Sequence, residues 1–225
     1  MQTSIAEQII EAREARRPVA LVTMLETGAQ RLIARGENAG LGDAVGEAFR
    51  RDRSGTVETP EGEAFLRIYN PPLRMLIIGA VHTAQYLVPL AGMTDYDVTI
   101  IDPRGAFATD ERFPGVKLMA EWPDEVLPAL GLDARTALIA LTHDPKIDDI
   151  ALTLALASDC FYIGALGSTR THAKRLDRLK AAGATDAALA RIHAPIGLDI
   201  GAQGPAEIAL SIMSQVTAVL RGKAK

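Results

Sequence analysis

The stretch RMLIIGAVHTAQYLVPLAG, residues 74 to 92, sets Gly79, Ala80 and His82 between an apolar run and a helix-like segment. That is where a dinucleotide-binding turn would sit. In such a turn the first glycine permits the tight bend, the second lets a pyrophosphate approach the backbone, and the third lets the helix pack on the strand. Here the three positions hold Gly79, Val81 and Ala84. Val81 puts a β-branched side chain where the phosphate would lie, yet a helix N-terminus there still offers N–H groups and partial positive charge. Asp102 closes the next apolar run, about 20 residues on, the spacing at which an acid accepts ribose hydroxyls. It equally fits a cap of the DPRG turn, to which Arg104 adds a cation. His82 fits either an anion donor or a packing residue.

Three further segments carry polar residues at the ends of apolar runs. LTHDPKIDD offers Thr142, His143 and Asp144; an imidazole beside the carboxylates of Asp144 and Asp102 would bind a metal or move a proton, whereas Asp144 before Pro145 also reads as a helix N-cap. YIGALGSTRTHAKR offers Gly167, Ser168 and Arg170 at a strand-to-helix turn, with Lys174 and Arg175 beyond. This is an anion site or a capped helix with a solvated basic face. HAPIGLDIGAQGPAE contains His193, Gly197 and Asp199, and its three glycines and two prolines mark a specialised loop, expected to close over a crevice. Cys160 begins an apolar strand and reads as a small buried hydrophobe.

The elements that must position these residues change character at Pro71-Pro72. Before it, a helix over 4–16 closed by Pro18, the runs VALVTML and RLIA, a second helix ending in Gly55 and the strand EAFLRIYN form a small α+β domain, residues 1–70. After it, continuous apolar runs (RMLIIG, YDVTIID, VKLMA, TALIALT, CFYIGALG) alternate with amphipathic helices, and a last helix starts at Pro205. The expected fold of 71–225 is α/β: a Rossmann-like parallel sheet with helices on both faces. Ligands of such sheets bind outside the carboxyl ends of the strands, where all of these candidates fall.

Composition narrows the function classes. With 24 basic against 28 acidic residues and a pI of 5.6, nothing marks a nucleic-acid binder. A single cysteine excludes an internal disulfide and a C-x-x-C metal site. The charged N-terminus reads as neither signal nor anchor, and the expectation is a soluble cytoplasmic protein without membrane contact.

Taken in order, LIIGAVHTAQYL, VTIIDPRGAFATDERFPG, LTHDPKIDD, FYIGALGSTRTHAKRL and ARIHAPIGLDIGAQGPAEIALSIMSQ resemble the C-terminal Rossmann domain of the xanthine dehydrogenase accessory protein family, XdhC/CoxI. The resemblance runs from about Pro71 to Arg221. It implies a factor that binds molybdenum cofactor, a phosphate-bearing pterin, and assists its sulfuration and insertion into a molybdenum hydroxylase apoenzyme such as xanthine dehydrogenase or carbon monoxide dehydrogenase. Val81 departs from the GAGH form associated with many members. No Ser-Gly-Gly-Cys type motif precedes Pro71, so a second XdhC/CoxI-type chain or a cysteine desulfurase is an expected partner, along with self-association as a homodimer. The leading expectation is therefore a non-catalytic cofactor chaperone. The alternatives are an NAD(P)-dependent oxidoreductase with His143 or His193 as acid/base, and an interaction scaffold with an empty crevice.

Overall fold

A computed structural model of the chain describes residues 4–37 and 40–223. It divides into two units, up to Pro71 and from Pro72 onward.

The first unit comprises α1 (Ile5–Glu14), β1 (Val19–Met24), β2 (Gln30–Ala34), α2 (Ala44–Arg51), β3 (Gly55–Thr59) and β4 (Gly62–Tyr69). Ser4 caps α1, with Glu7 reaching back to the cap N–H. The strands form an antiparallel sheet in the order β2-β1-β4-β3. Ala20, Val22, Ile33, Ala64 and Leu66 from its strands pack with Val45 and Phe49 of α2. The expected end of the second helix at Gly55 is corrected. Asp52 takes a left-handed φ of 54° and closes α2, and Gly55 opens β3 instead. Ser54, between them, accepts the Ile68 N–H of β4, after which Thr56, Val57 and Thr59 have the β-branched shape that suits a strand.

The second unit runs β5 (Leu73–Ile78), α3 (His82–Met93), β6 (Tyr96–Ile101), β7 (Lys117–Met119), α4 (Pro123–Leu130), β8 (Thr136–Ala140), α5 (Pro145–Leu156), β9 (Tyr162–Ala165), α6 (Thr169–Ala181), α7 (Asp186–Leu189), β10 (Ile192–His193) and α8 (Pro205–Leu220). Its six-stranded sheet has the order β10-β9-β8-β5-β6-β7, parallel throughout. Side-chain alternation along β5 explains the two layers. Met75 and Ile77 face a core with Leu87 of α3 and Ile212 and Val216 of α8, while Leu76 and Ile78 face another with Val126 of α4, Ile147 and Leu152 of α5, and Leu179 of α6. This is a Rossmann-like α/β sheet covered on both faces. Among the described residues no helix is long and apolar enough to cross a membrane.

The chain winds from β5 through β6 to β7 in one direction, and β8, β9 and β10 lie on the other side of β5. The order therefore reverses between β5 and β8, the switch point at which sheets of this kind form a binding crevice beyond the carboxyl ends of the strands.

Ile77 is fully buried at the centre of this sheet. Ile77→Ala should cost about 2–5 kcal/mol in urea unfolding; a loss within about 0.5 kcal/mol, the usual size for a surface position, would contradict coverage on both faces.

Candidate functional site

The turn after β5 stands at the crevice. Gly79 has φ of 109°, and a Cβ there would lie 2.7 Å from Thr142 Cγ2, so only glycine lets the turns after β5 and β8 approach this closely. Ala80 is held from two sides: its N–H donates to Asp102 Oδ2 at 2.8 Å, and its carbonyl accepts from Arg112 Nη1 at 2.8 Å. Val81, half-buried and extended, is the N-cap of α3 and supplies no side-chain cap, which leaves the helix terminus to a ligand or water. His82 is exposed and lies 5.4 Å from the ring of Tyr86.

Asp102, at the end of β6, has no exposure at all. Its Oδ1 accepts the Arg104 backbone N–H at 3.0 Å and Arg104 Nε at 2.9 Å; its Oδ2 accepts Arg104 Nη2 at 2.8 Å besides the Ala80 amide. Burial by itself would raise its pKa, but the hydrogen bonds from Arg104 and Ala80 outweigh that and hold the carboxyl below its ordinary value. Of the two readings open to Asp102, ribose acceptor or cap of the DPRG turn, the bond from the Arg104 N–H is that of the cap. Its oxygens are already engaged, and the guanidinium of Arg104 that they hold is half-buried and stacks over Phe107 at 4.9 Å.

The turn after β8 is organised by Asp148, which sequence reading did not single out. Its buried carboxylate accepts the Thr142 hydroxyl at 2.7 Å and the His143 N–H at 3.0 Å, and His143 adopts a left-handed φ of 63°. Burial raises the Asp148 carboxyl above its usual range despite these bonds. Asp144 accepts the Lys146 N–H at 2.9 Å and is thus the N-cap of α5. The His143, Asp144 and Asp102 trio does not assemble as a metal site: Asp102 is buried against Arg104, and among the described residues no cluster of three His, Cys, Asp or Glu could hold a metal ion.

After β9, half-buried Gly167 leads into Ser168, whose hydroxyl accepts the Thr171 N–H at 3.2 Å and caps α6. Arg170 is exposed. Arg175 lies five residues further along the helix and is only 2% exposed. The sequence placed it on a basic face, with no sign that it would be buried.

Two residues of the segment after α7, expected to close over the crevice, are anchored in the fold. His193 belongs to β10, paired beside Gly164 of β9, and its ring stacks on Tyr162 at 4.8 Å. Gly197 has φ of 95°, Ser211 Oγ of α8 fills the space a Cβ would need, and the Gly197 N–H donates to Gln215 at 2.9 Å. Both residues are thereby built into the packing of α8 on the sheet. Asp199 is exposed. A two-residue strand carries no periodicity from which it could have been read.

An open α/β sheet with its crevice at the switch point defines a Rossmann-type binding domain. A family model described as the XdhC Rossmann domain matches residues 75–216, and the chain belongs to that family. It is 32% identical over 151 residues to a protein of Escherichia coli (strain K12) described as the molybdenum cofactor insertion chaperone PaoD, covering 67% of this chain and 41% of that protein. It is 29% identical over 153 residues to a protein of Bacillus subtilis (strain 168) described as a probable xanthine dehydrogenase subunit, covering 68% of this chain and 44% of the relative. The chain thus spans less than half the length of these two relatives. A crystal structure described as a xanthine dehydrogenase from Bacillus halodurans shares the fold, with a TM-score of 0.69 and 24% identity over 96% of this chain and 66% of that one.

Asp102→Asn exchanges an acceptor for an amide facing Arg104 and should destabilise the protein by about 1–3 kcal/mol at pH 7. The native carboxyl titrates below the unfolded value of 3.8, so its stabilisation is complete above that value and is lost as pH falls through the folded pKa. Denaturation of both proteins at pH 7 and near pH 3 should show the gap narrowing in acid; an unchanged gap would contradict the clamp.

Proposed function

We propose that this chain receives molybdenum cofactor in the crevice beyond β5 and β8 and passes it to a molybdenum hydroxylase apoenzyme. The observation that carries the reading is the state of the acidic corner. In a nicotinamide-dependent fold the acid after the second strand accepts the ribose hydroxyls. Here the oxygens of Asp102 are bound to Ala80 and Arg104, so the corner offers a guanidinium to the ligand. A guanidinium beside an uncapped helix N-terminus is a set of hydrogen-bond donors, which suits the carbonyl and ring-nitrogen acceptors of a pterin.

Family membership and the chaperone description of the E. coli relative support the same cargo. In this reading Gly79, Arg104, Thr142 and His143 line the crevice, while Asp102 and Asp144 hold the turns that present them. The NAD(P) alternative draws no support from these observations, and His193, one of its two candidate acid/base groups, is stacked against Tyr162.

Assistance in sulfuration places a further demand on the assembly. Cys160, the single cysteine, is buried, and burial pushes its thiol up, the reverse of what a sulfur-carrying thiolate needs. The sulfur in this account comes from a partner, a cysteine desulfurase or a second XdhC/CoxI-type chain.

Metal and pterin analysis of protein purified anaerobically from a molybdenum-replete host tests the reading. Near-stoichiometric pterin is expected, at the same level in Cys160→Ala. Tight binding of a nicotinamide dinucleotide by protein that carries no pterin would overturn it.

A further inference from the structure

A second concavity lies beside the crevice, between α5 and α6. It has a volume of about 200 Å³ and is bounded by His143, Asp148 and Asp149 on one side and by Arg170, Lys174, Arg175 and Arg178 on the other. Drug-sized ligands occupy pockets of roughly 300–1,000 Å³, so this one suits a single small group.

Its charges do not cancel. Arg178 is matched by Asp149, with Nη2 3.0 Å from Oδ1. Arg175 is not matched in the same way. It is 2% exposed, its Nη2 donates to the Leu166 carbonyl at 2.9 Å, and the nearest carboxylate oxygen, on Asp148, is 3.9 Å away. Asp148 already accepts hydrogen bonds from Thr142 and His143, and the Nε and Nη1 groups of Arg175 have no protein acceptor. A buried guanidinium left this way normally costs free energy unless another charge compensates it. Arg170 and Lys174, on the exposed rim, have no acidic partner among the described residues. The cleft therefore has a buried, undercompensated cation at its base and two unpaired cations at its mouth, next to the N-terminus of α6.

We propose that the α5–α6 cleft is an oxyanion subsite that takes a phosphate-class group. This rests on the proposed function in one respect: if the cargo is a phosphate-bearing pterin, its phosphate lies on the β8–β9 side and its ring toward Arg104 and Phe107. Arg170 and Lys174 make the contact at the rim. Arg175 supplies long-range attraction from below, which is little screened because the group is buried.

Inorganic pyrophosphate titrated into the full chain by calorimetry at low salt tests the subsite without any pterin. The double variant Arg170→Gln/Lys174→Gln is expected to raise the Kd at least tenfold, while the charge-matched control Arg35→Gln/Lys117→Gln leaves it within about twofold. Equal weakening by both pairs would reduce the effect to net charge and overturn the subsite, as would an unchanged Kd in the first pair. The two readings fail separately. Pyrophosphate binding that depends on Arg170 and Lys174, in protein that never acquires pterin, retains the subsite and removes the cargo. Full pterin loading in the double variant retains the cargo and removes the placement of its phosphate in the cleft.

Discussion

The buried carboxylate of Asp102 is the constraint on which the rest of the crevice depends. A charge with no exposure is tolerable only when hydrogen-bonded on every side, and here the partners come from two different parts of the fold. Ala80 contributes the amide of the turn after β5, and Arg104 contributes a backbone N–H and a two-pronged guanidinium from the loop after β6. Arg112 then reaches back from the same loop to the Ala80 carbonyl, so the turn is gripped through both of its peptide groups. Loss of the Asp102 charge would free Arg104 and loosen the turn that Gly79 presses against Thr142.

The same logic repeats one strand away with a different balance. Asp148 organises the turn after β8 as Asp102 organises the turn after β5, but its cation, Arg175, stands at 3.9 Å and forms no hydrogen bond to it. The first pair is nearly self-contained, whereas the second leaves positive charge to spare. The strand ends thus grade from a tightly paired corner at β6 to the more strongly cationic α5–α6 cleft beside the crevice. Such a gradient orients an elongated ligand that carries charge at one end.

Much of this architecture is legible in the chain. Runs such as Met75–Ile78 and Ala137–Ala140 have no polar side chain on either face, which is what a sheet covered on both sides requires, and the order of runs and helices put the candidate residues at the strand ends. The positions of Gly79, Thr142, His143 and Ser168 followed from that rule. What stayed hidden depends on partners distant in sequence. Nothing in DPRG says that Arg104 folds back on Asp102, and nothing in the α6 sequence distinguishes the buried Arg175 from the exposed Arg170, because arginine is seldom buried. The strand β10 was hidden for a different reason: two residues are too few to show a period, and their pairing with β9 exists only once the sheet is formed.

Hydrogen exchange with and without molybdenum cofactor, followed by mass spectrometry under anaerobic conditions, tests the central claim most directly. The account predicts added protection at the three strand-end turns, residues 79–83, 102–104 and 142–144, with little change along the outer faces of α3 and α8. Protection confined to other surfaces, with those three turns exchanging as they do in the free protein, would contradict it.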